Sequence, residues 1–111
     1  MLRIPAAASL VLLALAGQAQ ADTVTVRNDG QVAIGARIIT GPHEGEWHNL
    51  PPGQTQTIDY TPDGRNEVMV NAKYVDGLFR LRDACLERLS PGANHTVSVV
   101  ASPWGGYCAV R

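Results

Sequence analysis

Glu67-Val68-Met69-Val70-Asn71-Ala72-Lys73-Tyr74-Val75-Asp76-Gly77-Leu78 is the stretch on which the fold turns. Val68, Val70, Ala72 and Tyr74 alternate with Met69, Asn71 and Lys73, the period of a strand with one face in a core. Asp76-Gly77 then stands between apolar neighbours, a pair that favours the backbone of a hairpin turn. Phe79 and Leu81 are expected to face inward on the returning strand, with Arg80 and Arg82 outward.

The same alternation recurs on both sides. Thr23 to Arg27 places Val24 and Val26 on one face, and Asn28-Asp29-Gly30 reads as a turn favouring positive φ. Val32, Ile34, Ala36 and Ile38 then make Gln31 to Thr40 the returning strand. Ile58 and Tyr60 alternate within Gln54 to Tyr60, and Thr61-Pro62-Asp63-Gly64 reads as the next turn. Val97 and Val99 alternate within His95 to Ala101, and Tyr107 to Arg111 forms a last short strand. Asp83 to Leu89 fits either a helical turn or a strand, ended by Pro91-Gly92. The expectation is an all-β fold, a small antiparallel sandwich (immunoglobulin-like or related) of about seven strands.

Val24-Thr25-Val26-Arg27-Asn28, followed by Leu50-Pro51-Pro52-Gly53-Gln54-Thr55, resembles the opening of thaumatin-like and other secreted sandwich proteins. Thaumatin-like proteins carry many cysteines and this chain two, so the resemblance bears on strand layout and not on function.

Composition sets further limits. The chain has 111 residues, 45% hydrophobic and 17% charged, enough for one domain and too apolar for intrinsic disorder. A net charge of -1 argues against binding nucleic acid through its phosphates. Residues 1–21 read as a signal peptide: Arg3, an apolar run from Ala6 to Ala16, then Ala19-Gln20-Ala21 as the cleavage site. That run is too short to span a bilayer, which takes about 20 residues. The remaining domain, 22–111, is then periplasmic or secreted. Cys85 and Cys108 are expected to form one structural disulfide, closing a loop of roughly 24 residues for about 3 kcal/mol.

The densest polar cluster is His43-Glu44-Gly45-Glu46-Trp47-His48, inside a breaker-rich stretch from Gly41 to Gly53 expected to be an irregular surface loop. In an extended segment Glu44, Glu46 and His48 would share one side and His43 the other. His43 and His48 are the candidate metal ligands, for Zn²⁺ or Cu²⁺, if the loop curls so that its donors converge. Trp47 and Trp104 fall in Gly- and Pro-flanked loops, where an exposed indole can anchor a partner or plug one end of a sandwich. Ser90, Ser98 and Ser102 lack the elbow motif of a nucleophilic serine, so no catalytic residue is assigned and a small hydrolase is the weaker alternative. Arg80, Arg82 and Arg88 form a modest basic patch diluted by Asp83 and Glu87, and Asn94-His95-Thr96 fits a glycosylation sequon. The expected role is binding without turnover: no cofactor, an extracytoplasmic protein partner or inhibitor-like target, and contact through Glu44, Glu46, Trp47, His48 and Trp104.

Overall fold

A computed structural model of the chain describes residues 22–61, 67–90 and 94–111. Within them the alternating segments become nine strands: β1 (Asp22–Asn28), β2 (Ile34–Thr40), β3 (His43–Glu44), β4 (His48–Leu50), β5 (Thr55–Tyr60), β6 (Val68–Tyr74), β7 (Asp83–Leu89), β8 (His95–Ser102) and β9 (Gly105–Val110). They make two sheets, β5-β1-β8-β9 and β3-β2-β6-β7, with β4 also paired to β2. The fold is the all-β, two-sheet arrangement expected. One pairing departs from the antiparallel expectation: β1 and β8 run parallel.

The core is built from the predicted inward positions. Val24 and Val26 of β1 and Val97 and Val99 of β8 cluster with Ile34, Ala36 and Ile38 of β2 and Val68 and Val70 of β6, all buried. Each such valine or isoleucine contributes about 1.5–3 kcal/mol of burial.

Two connections differ from expectation. Asn28-Asp29-Gly30 does not turn a hairpin, because β1 lies between β5 and β8 while β2 belongs to the opposite sheet. Asn28 directs the crossing. Its fully buried amide donates from Nδ2 to the carbonyls of Val32 (2.9 Å) and Leu50 (2.8 Å), and its Oδ1 accepts the Gly30 N–H at 3.0 Å. The chain meanwhile keeps pairing with β8, through Asp29 N–H to Val99 O and Gln31 N–H to Ala101 O. Gly30 is not among the positive-φ residues; a Cβ there would collide with the Ala101 backbone. Close approach, not turn conformation, accounts for that glycine.

Asp76-Gly77 does lie in a β6–β7 hairpin, with Gly77 at φ 82°, but the returning strand starts at Asp83 and not at Leu78. Between them the loop bonds to itself: Arg80 N–H to Gly77 O, Arg82 N–H to Phe79 O, and Leu81 N–H back to Tyr74 O. Phe79 is half-buried, edge-on to Tyr74 with ring centroids 5.5 Å apart, whereas Leu81 is 65% exposed. The inward reading of Leu81 is therefore corrected. Asp83 to Leu89, open to either helix or strand from sequence, is strand.

Cys85 on β7 and Cys108 on β9 are bonded, their Cα atoms 5.6 Å apart, so the disulfide ties an edge of one sheet to an edge of the other. No helix among the described residues is long and apolar enough to cross a membrane. The signal-peptide reading of 1–21 and the turns at 62–64 and 91–92 lie outside the described residues.

Candidate functional site

The polar cluster is more ordered than its breakers suggest. His43 and Glu44 pair with Thr40 and Ile39 of β2, and His48 to Leu50 pair with Ala36 to Ile34. Between the two pairings the register advances by one residue, as in a β-bulge, so side chains beyond it switch faces. Gly45 sits at the break, its N–H bonded to Ile38 O at 2.9 Å and its Cα too close to that carbonyl for a side chain. This extra residue is why the simple alternation fails. Glu44 and Trp47 reach the outer face of the sheet, while His43, Glu46 and His48 line the gap between the two sheets.

On the outer face Trp47 lies across β2 and is 44% exposed. Gly35 lies beneath it: a Cβ there would stand 3.4 Å from Trp47 Cε3, in ordinary van der Waals contact. The Arg37 guanidinium lies 4.2 Å from the indole centroid and the Lys73 ammonium 5.6 Å, both within cation–π range. Arg37 is itself held, donating from Nε to Asn71 Oδ1 (3.2 Å) and pairing with Glu44 at 3.3 Å. Asn71 is buried and passes the restraint on, donating from Nδ2 to Asp83 Oδ1 at 3.1 Å and to Cys85 O at 3.3 Å. Beside the indole lies a groove of about 230 Å³, lined by Gly35, Asn49, Lys73, Val75 and Leu81. Trp47 is thus a fixed surface platform and not a plug.

The gap between the sheets opens on the side away from the disulfide. It holds about 430 Å³ between β5 and the β3–β4 segment, with Ile38, Ile58 and Tyr60 beneath and His43, Glu46, His48 and Asp59 around. Among the described residues no group of three or more His, Cys, Asp or Glu stands together as a metal-holding cluster. The Tyr60 hydroxyl and Asp22 Oδ2, adjacent across the β1–β5 pairing, are buried without hydrogen-bond partners among the described residues. Burial first, then the Asp22 carboxylate, pushes the Tyr60 phenol above its ordinary value.

The remaining candidates scatter. Trp104 is 81% exposed at the β8–β9 turn, its N–H bonded to Ser102 Oγ at 3.2 Å, beside a separate groove lined by Tyr74, Phe79 and Arg82. Ser98 donates to Asp29, and that bond, more than the nearby Arg27, holds the Asp29 carboxyl below its ordinary value. His95 Nε2 meets the Ser90 carbonyl at 2.8 Å. Sequence reading missed Gly35, Arg37, Asn71 and Lys73. Alternation placed Asn71 and Lys73 outward, but only the β2–β6 register, Ala36 opposite Ala72, sets Arg37 and Lys73 beside one indole.

No family model matches the chain. No curated protein matches it either. Some solved structures are similar to it. Intermedilysin, described as a human-specific toxin, aligns with a TM-score of 0.56 at 11% identity, over 82% of this chain and 23% of that one. The type VI secretion (T6SS) lipoprotein TssJ1 from Pseudomonas aeruginosa aligns at 0.48 and 10% identity, over 83% and 95% of the two chains. The membrane-binding domain of pneumolysin aligns at 0.47 and 15% identity, over 82% and 96%. This chain therefore spans about a quarter of the intermedilysin chain, and at such identities the likeness is one of fold.

Proposed function

We propose that the protein is an exported binding module that engages an extracytoplasmic protein partner through the face around Trp47. The observation that carries this reading is the fixing of an exposed indole: Gly35 lies beneath it, Arg37 and Lys73 flank it, and Glu44 and Asn71 hold Arg37 in place. An aromatic anchor held rigidly before contact loses little conformational entropy on binding, and the adjoining groove offers a partner side chain an apolar seat. The N-terminal leader read from residues 1–21 supports export.

The test compares the protein with Trp47→Ala, each immobilised and exposed to periplasmic or culture extract. The partner retained by the parent is expected to bind the variant more weakly by about 2 kcal/mol, with the melting curve unchanged. Equal retention by the variant, or a variant that unfolds without selective loss of binding, overturns the reading.

A further inference from the structure

Among the described residues the two sheets have four edges, of which two are tied together and one is interrupted. β7 and β9 are joined through Cys85–Cys108, and the β3–β4 edge is two short pieces interrupted at Gly45. β5 is different. Its six residues, Thr55-Gln56-Thr57-Ile58-Asp59-Tyr60, run unbroken and contain no Pro, Lys or Arg, the residues that usually guard an open edge. Among the described residues it pairs only with β1.

The direction of its free backbone groups follows from the ladder. Asn28 N–H bonds to Gln54 O, so Asn28–Gln54 is a hydrogen-bonded pair, and such pairs alternate along an antiparallel ladder. Gln56, Ile58 and Tyr60 therefore bond to β1. Thr55, Thr57 and Asp59 turn their N–H and C=O groups off the sheet, beside the 430 Å³ cleft. An added strand would place alternate side chains over Ile38, Ile58 and Tyr60. The polar surroundings select further: among the described residues the cleft lining holds the carboxylate-bearing Glu46 and no Lys or Arg, with Asp59 beside it on the edge strand, so the complement is basic.

The geometry points to the β5 edge and its cleft as a binding site for an extended peptide segment of another protein, alternating apolar and polar residues and carrying a basic side chain, which adds as a fifth strand beside β5. This site lies apart from the Trp47 face, and either can fail without the other.

The probe is a phage-displayed library of random octapeptides panned on the full protein. Enriched peptides are expected to alternate in polarity and to contain Lys or Arg. Thr57→Pro removes an N–H that β1 does not use, so it should weaken the enriched peptides by about tenfold or more while the fold persists. If that variant does not fold, a copy of the best peptide N-methylated at alternate amides replaces it and should lose binding by a similar factor. Trp47→Ala should leave peptide affinity unchanged. Panning that enriches no peptide overturns the proposal. So do peptides indifferent to both Thr57→Pro and N-methylation, and peptides lost with Trp47→Ala.

Discussion

Tyr74 closes β6 with its ring buried under Phe79 and its hydroxyl without a partner among the described residues. A polar atom in that position has given up water for nothing, a cost of about 1–3 kcal/mol where it is complete. Tyr74→Phe keeps the ring and deletes the orphan, so it should leave stability unchanged or raise it by about 1 kcal/mol, read from denaturant midpoints. The same burial pushes the Tyr74 phenol above its ordinary value of 10.0. For a group whose folded pKa is raised, the stabilising contribution of its neutral form is complete below pH 10 and lost as the pH climbs beyond it. Tyr74→Phe should therefore also extend stability on the alkaline side. A variant that is less stable at neutral pH would mean that the hydroxyl has a partner after all.

The β6–β7 loop carries a local conformational cost at an exposed position. Leu81 holds φ at 69°, a left-handed conformation that costs a non-glycine residue about 1–2 kcal/mol, and its side chain is 65% exposed beside Trp47. Leu81→Gly relieves that conformation and should raise the melting temperature, while removing one wall of the groove and weakening partner retention. A fall in melting temperature would show that Leu81 packs more than it strains. This loop also marks where legibility ended. The inward sets of β1, β2, β5, β6 and β8 could be read from period two, because alternate residues meet the same core wherever the strand goes. Which strand lies beside which could not. The crossing after Asn28 depends on an amide meeting Leu50, twenty-two residues on, and the faces of Glu44 to His48 depend on one extra residue at Gly45. The site at Trp47 suffers twice, since it needs both that bulge and the β2–β6 register.

At the scale of the molecule the two sides of the sandwich are unlike. One is sealed by Cys85–Cys108 between β7 and β9; the other opens as the cleft between β5 and β3–β4. A small domain has little core to spare, so its stability depends heavily on whatever holds its sheets together. The bridge spans 23 positions in sequence and joins strands of different sheets, so without it the unfolded chain regains the freedom of that loop and the two edges can part. Cys108→Ser should thus cost about 2–4 kcal/mol, a large share of the stability of a domain this size. Denaturant titration of the parent and the variant, each with and without reductant, checks it. The parent should weaken on reduction to match the variant, and the variant should ignore reductant. Unequal end points would mean that the serine perturbs the core beyond the loss of the bond. An unmoved parent, with no thiol accessible after unfolding in reductant, would mean only that reduction had failed; with thiols released and the midpoint still unmoved, the bridge is not what holds that side shut.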